Sequence, residues 1–284
     1  MVSLLTLLAL TVPSAEPPPL IQNLVEVGLA IPEVGRHKMP KPTLEVGMPE
    51  GQIKTVVKTF EDDRPDFLEP RLSAPYRLDR MTPLENKDGE TRGRELNLWF
   101  AAHGDIKKLD DQNILGTLLS AQGKKKAAKE TIYLEDADLK KRGITPLKIA
   151  NGDERFSVLE MDLIEKVRLS GVLRTQRRWV DGALVSTMIL DERFANDAKY
   201  PNRWAPIDPE DHDKTGPAKP YSGFAGYIKA TPVPGMKDVI FVEVHFAFSE
   251  PFDWFEGKNL LASKMPLAVK QNVPALRRKI AGKN

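Results

Sequence analysis

Apolar and polar residues alternate along several stretches of this chain with the period of two that a half-buried strand requires. Over residues 95–103, Leu96, Leu98, Phe100 and Ala102 share one face, and Glu95, Asn97, Trp99, Ala101 and His103 share the other. Residues 155–163 bring Ser157, Leu159, Met161 and Leu163 together. Residues 166–179 set Val167, Leu169, Gly171, Leu173, Thr175, Arg177 and Trp179 against Lys166, Arg168, Ser170, Arg174, Gln176 and Arg178. Asp181-Gly182 then supplies a two-residue hairpin turn, whose central positions both need positive φ. That turn sets Trp179 opposite Leu184 and carries the same face on through Ser186, Met188 and Leu190. Two further strands align Phe224, Gly226, Ile228 and Ala230, then Ile240, Val242, Val244, Phe246 and Phe248, with Pro232-Val233-Pro234-Gly235 turning between them. Residues 76–84 and 94–103 pair across a polar turn at 85–90.

The period changes elsewhere. Asp110 or Asp111 caps a predicted helix running to Leu119, and residues 136–142 form a second short helix that stops at Gly143. Residues 191–220 read as a long loop. At the end of the chain Leu261, Met265, Val269, Val273, Leu276 and Ile280 recur every three or four positions, the stripe of an amphipathic helix. Pro274 would cost about 3 kcal/mol inside that helix, so a kink or restart is expected there. Residues 16–75 are rich in proline and short of periodic runs. They read as an extended arm lying on a folded body of residues 76–284. The fold class is therefore α+β, a curved antiparallel sheet whose apolar face is covered by the C-terminal helix.

This order of strands, two helices, an antiparallel run and a long last helix resembles the helix-grip fold of START-like and Bet v 1-like proteins. The local likeness covers residues 238–279. A strand there runs into Ser249-Glu250-Pro251-Phe252-Asp253-Trp254, then a helix ends in Leu276-Arg277-Arg278-Lys279. START-like domains close with a strand, an Asp-Pro-x-Gly-Trp type turn and a Leu-Arg-rich helix; here Glu250 stands for the Asp and Asp253 for the Gly. The chain is also similar to exported bacterial proteins with no assigned activity. The resemblance implies a lipid-like or other apolar molecule held between sheet and helix, with hydrolase or cyclase chemistry in some family members. The inward positions such a ligand would touch are Phe100, Leu173, Thr175, Arg177, Met188, Ile228, Val244, Phe246, Trp254, Met265 and Val269.

Composition narrows the picture by exclusion. Among 284 residues, 42 basic and 40 acidic side chains nearly cancel, leaving no general attraction for nucleic acid. Cysteine is absent, which removes disulfides, thiol nucleophiles and thiolate metal sites. No Walker loop, G-x-S-x-G, H-E-x-x-H or EF-hand loop occurs, and no cofactor or metal is expected. His103 and His245, near Asp105 and Glu243, lie on the polar faces of predicted strands. If His103, His245 and Glu243 converged they could move a proton; the simpler reading is two solvated strand histidines. The acidic loop 208–213 lacks the alternating ligands and glycine of a calcium loop and reads as a solvated turn. The lysine run at 124–126 reads as a linker. Arg177 sits where it must find a partner, meet a polar ligand head or reach water at the strand end. Phe248, Phe252, Trp254 and Phe255 read as a plug at the mouth of the last helix. A cell-envelope interaction module is the remaining alternative, which the proline-rich arm would suit; its protein partner is not specified by the sequence.

Residues 1–15 carry no charge and are dominated by leucine, ending in Pro13-Ser14-Ala15 before Glu16-Pro17-Pro18-Pro19. This has the form of a cleaved export signal, and the apolar run falls short of the roughly 20 residues that span a bilayer. A soluble protein in the periplasm or cell envelope, or secreted, follows from that reading. N-terminal sequencing of the exported protein is expected to start at Ala15 or Glu16; intact Met1 in a cytosolic fraction would contradict it.

Overall fold

A computed structural model of the protein describes residues 19–109, 131–255 and 258–282. The helix expected from residues 110–119 and the lysine run lie outside them, as does the proposed leader.

The described chain begins with α1 (Leu20–Glu26), a two-stranded hairpin of β1 (Leu29–Ile31) and β2 (Gly35–His37), and α2 (Glu50–Asp63). Then come β3 (Tyr76–Leu78), β4 (Thr82–Glu85), β5 (Thr91–His103), α3 (Asp136–Lys140), β6 (Gly152–Leu163), β7 (Val167–Val180) and β8 (Ala183–Leu190). The series ends with β9 (Arg203–Pro206), β10 (Lys219–Pro220), β11 (Phe224–Pro232), β12 (Val239–Ser249) and α4 (Leu260–Ile280). Every pairing in the main sheet is antiparallel. The expected hairpin turn forms at Asp181-Gly182, both at positive φ, with Trp179 opposite Leu184.

The loop expected at 191–220 is only partly a loop. Arg203–Pro206 is a strand, β9, paired with the start of β7, and Trp204 is buried in the core. Its four residues are too few to display an alternation against the surrounding polar sequence. The short helix at 136–140 does stop at Gly143, which takes φ +69 and donates its N–H to Lys140 O.

β3 and β4 share one side of β5, and β8 and β9 share one side of β7, so the strands stand in seven ranks from β6 to the β3/β4 edge. At about 4.8 Å per rank a flat sheet would span roughly 29 Å. A helix is only about 10 Å wide. Yet one continuous apolar cluster joins Leu78, Leu98, Val244, Ile228, Met188, Leu173 and Met161, drawn from β3 through β6, to the whole α4 stripe. The sheet must curl around the helix to do this, the helix-grip arrangement expected above. Gly104 at the end of β5 lies against the Ile280 carbonyl, with φ +146 and no room for a Cβ, so β5 meets the last turn of α4 directly.

α4 passes through both Pro266 and Pro274 as one helix. The break expected at Pro274 is absent. Each internal proline costs about 3 kcal/mol, whereas each buried Leu, Met, Val or Ile returns about 1.5–3 kcal/mol. Leu261, Met265, Val269, Val273, Leu276 and Ile280 are all buried, so packing outweighs the prolines.

The opposite face of the sheet is also covered. Residues 19–75 place α1 and the β1–β2 hairpin against Ala225, Tyr227 and Ala247, and place α2 with Phe67 against Trp99, Ala101 and Phe241. β12 is buried along its full length on both faces.

Arg277, on the last turns of α4, ties the layers together. Its guanidinium donates to the carbonyl oxygens of Ala101 (2.8 Å), Leu72 (3.1 Å), Ala74 (2.5 Å) and Pro75 (2.9 Å). Burial pulls its pKa down to about 10, opposed by Tyr76. Arg277→Met keeps the stem but leaves four carbonyls without their donor. It is expected to lower stability by about 3 kcal/mol, read from urea denaturation.

Candidate functional site

The curl of the sheet creates one interior, between its concave face and α4. Phe100, Met188, Ile228, Val244, Phe246, Trp254, Met265 and Val269 all belong to the apolar cluster there, and Leu173 packs against it half-buried. Within the cluster a narrow packing gap is lined by Met161, Leu163, Leu169, Phe224, Phe246, Phe248 and Met265. Every lining side chain is apolar, and no part of the gap is wide enough for a water molecule. Residues of β6 and β12 meet here because the sheet curls. Of the ligand positions expected from sequence, only Phe246 and Met265 reach the gap. Met161, Leu163, Leu169 and Phe248 lie on the inward faces that the alternation marks, but alternation alone does not tell which inward residues converge across the barrel-like interior.

Trp254 closes the mouth. Its ring stacks on Tyr221 (5.5 Å between centroids) and Phe248 (6.5 Å) and meets Trp204 (6.1 Å) and Phe255 (5.9 Å) edge-on. Beside it Arg94 and Glu250 form a buried ion pair, and burial lifts the Glu250 carboxyl above the usual range despite Arg94. Phe248, Trp254 and Phe255 thus form the plug, while Phe252 is exposed with the Arg92 guanidinium over its ring.

Thr175 and Arg177 stand apart from the gap. Thr175 lies opposite Arg155 and Met188, and Arg177 lies toward the β7–β8 turn. Arg177 holds both carboxylate oxygens of Asp153 on β6, at 3.0 and 2.9 Å. Burial pushes Asp153 up, yet its arginine partners keep its carboxyl below the usual range.

The histidines do not converge. His103 pairs with Val239 and its Nε2 contacts Leu68 O at 2.8 Å, whereas His245 pairs with Asn97. Six residues along the strand separate the two positions, about 20 Å. His245 is not solvated either: it is 1 % exposed. The acid–base set of His103, His245 and Glu243 is therefore not assembled.

What the outer face holds instead is a buried polar network that the alternation pattern did not reveal. His37 Nε2 lies 2.5 Å from Glu95 Oε2, and Asn97 Nδ2 donates to Glu95 Oε1 at 2.7 Å. That fixes Asn97 Oδ1 toward His245 Nδ1, 2.7 Å away, so Nδ1 carries the proton. His245 Nε2 then faces Glu243 Oε2 at 3.5 Å. Glu243 accepts from the backbone N–H groups of Thr43 (2.6 Å) and Leu44 (3.4 Å), and Lys229, opposite it on β11, donates to Leu44 O. Trp99 Nε1 donates to Thr43 Oγ1 at 2.8 Å, and the Tyr227 hydroxyl donates to Pro40 O at 2.9 Å. Burial lowers the Lys229 pKa against the pull of Glu243, and raises that of Tyr227 together with the Glu243 and Glu95 charges. The only sequence signal for this set is charged and aromatic residues at successive outward positions of β5, β11 and β12. Glu243, His245 and Lys229 are each at most 1 % exposed, so no substrate reaches them with residues 39–45 in place.

In the loop at 208–213, Asp208 Oδ1 accepts from the N–H groups of Glu210 and Asp211, a solvated turn as expected. Among the described residues no cluster of metal-ligating side chains occurs, and no helix is long and apolar enough to cross a membrane.

No family model and no curated protein matches the sequence. Among solved structures, the chain is similar to human STARD10, at 12% identity and a TM-score of 0.28, over 84% of this chain and 87% of that one. The superposition is too loose to equate residues. The helix-grip description rests on the strand order and on α4 against the curled sheet.

Glu95 gives the outer network a pH signature. Burial pushes its carboxyl up, but hydrogen bonds from His37 and Asn97 outweigh this and hold it below the usual glutamate range. The unfolded chain then binds more protons than the folded one, so this stabilisation is present above the ordinary glutamate value near 4.5 and is lost as pH falls below it. Glu95→Gln is expected to be less stable than wild type at pH 7, with the gap in urea midpoint closing below about pH 4.5.

Proposed function

We propose that this protein is exported and binds an apolar, lipid-like molecule between its sheet and its C-terminal helix. The observation that carries this reading is the all-apolar gap under the first half of α4, where the curled sheet brings β6, β7, β11 and β12 together. Met161 and Met265 line it, and unbranched thioether side chains repack readily around an inserted molecule. The two ends of α4 differ in how firmly they are held. Arg277 pins the C-terminal end to four carbonyls. The N-terminal end has no side-chain cap, and Pro266 offers no N–H to the preceding turn. The end over the gap is the one that yields, and the gap widens by movement there. The leucine-rich start of the chain supports export.

The enzymatic alternative has lost its support, since His103 lies far from His245 and Glu243. Binding without chemistry is the reading retained.

Organic extracts of the purified protein are expected to contain a stoichiometric apolar compound by mass spectrometry, and the emptied protein should bind an apolar fluorescent probe. Met265→Trp, which puts an indole where the ligand would enter, should weaken probe binding by about tenfold or more. A folded protein that carries no apolar compound and binds no probe would contradict the proposal.

A further inference from the structure

Residues 39–45, which cross the outer face of the sheet, are held in the manner of a bound peptide. They form no ladder with any strand. Two buried anchors, Met39 and Leu44, enter separate apolar clusters on either side of the crossing. Between them, four side chains of β5, β11 and β12 read the segment. Glu243 takes the N–H groups of Thr43 and Leu44, Lys229 takes the Leu44 carbonyl, Tyr227 takes the Pro40 carbonyl, and Trp99 takes the Thr43 hydroxyl. His37, just before the segment, is held by Glu95.

Several features set this apart from ordinary core packing. All but one of the five contacts these four side chains make go to main-chain atoms of the segment, while the apolar anchors supply the side-chain selectivity. Polar clamps on the backbone, with pockets for spaced apolar residues, are how grooves recognise peptides. Two of the clamping groups are charged and fully buried, a costly arrangement in a face that only needed covering. Lys229 and Glu243 are also cross-strand neighbours on β11 and β12, so each keeps an opposite charge nearby when the segment leaves.

We infer that the outer face of β5, β12 and β11 is a peptide-binding groove, occupied here by residues 39–45 as a tethered ligand. The partner it fits is a proline-containing segment that bends at its end, with apolar residues five positions apart and a small hydroxyl residue before the second, the pattern Met39-Pro40-Lys41-Pro42-Thr43-Leu44. Displacement of the tethered segment opens the groove to such a segment of a protein partner. This site is on the opposite side of the sheet from the proposed apolar cavity and stands independently of it.

The test uses a fluorescent peptide of residues 37–48 and the full-length chain. Leu44→Asp places a carboxylate beside Glu243 and expels the tethered segment, leaving every clamping residue in place. That variant is expected to bind the peptide at least about tenfold more tightly than wild type, whose own segment competes at high effective concentration. A peptide with Thr43→Pro, lacking one N–H that Glu243 accepts, should lose that gain. A folded Leu44→Asp protein that binds no better than wild type would overturn the inference. Should Leu44→Asp fail to fold, native-state hydrogen exchange on wild type decides the matter. Amides of Thr43 and Leu44 exchanging at least about tenfold faster than Val244 support a detachable segment. Equal protection of all three would show the segment to be part of the global fold and would overturn it.

Discussion

The burial of the α4 stripe against the concave side of the sheet is the interaction on which the remaining architecture depends. A single helix cannot cover seven ranks of a flat sheet, so sharing one core with all of them forces the sheet to curl. The curl brings β6 and β7 toward β11 and β12 and creates the apolar gap beneath Met265. It also explains why two internal prolines persist without breaking the helix, since the six buried stripe residues together return more than the prolines remove.

Curling around one helix leaves the convex side of β5, β11 and β12 uncovered, and residues 19–75 supply its cover. Here the sheet presents Glu243, Lys229, His245, Asn97 and Glu95 rather than aliphatic side chains. Buried groups of this kind demand partners, and most of those partners are backbone atoms of residues 40–44 together with His37. The two faces of the sheet therefore work by different physics. One is apolar and yields only by repacking, and the other is hydrogen-bonded and specifies a particular segment.

The division between what was legible in the sequence and what was not follows these physics. Period-two alternation identified the faces of β5, β7, β11 and β12, and Asp181-Gly182 placed the β7–β8 register, because each is a local property. The C-terminal stripe named all six α4 residues that reach the core. Strand β9 was hidden because four residues carry too little pattern. The outer network was hidden for a different reason: Glu95, Asn97, Glu243 and His245 sit at outward positions where polar residues ordinarily meet water, and only contacts between 58 and 200 residues apart in the chain cover them. For Arg177 the sequence left open a partner, a polar ligand head or water, and the structure supplies the partner, Asp153, across the β6–β7 pair. The gap could not be read from sequence because it depends on the degree of curl rather than on which residues face inward.

The proposed apolar molecule would enter between α4 and the sheet, and methionine side chains can report it. Eight methionines are distributed over the molecule, and their positions separate the two faces. Met161 and Met265 line the gap, whereas Met39 and Met48 pack on the outer side and Met236 is exposed. Methyl NMR of methionine-labelled protein, titrated with an apolar probe, resolves them individually. Entry of the probe into the gap is expected to give large shifts at Met161 and Met265 and none at Met39, Met48 or Met236. Shifts confined to the outer-face methionines, or no shift at Met161 and Met265 at saturating probe, would contradict it.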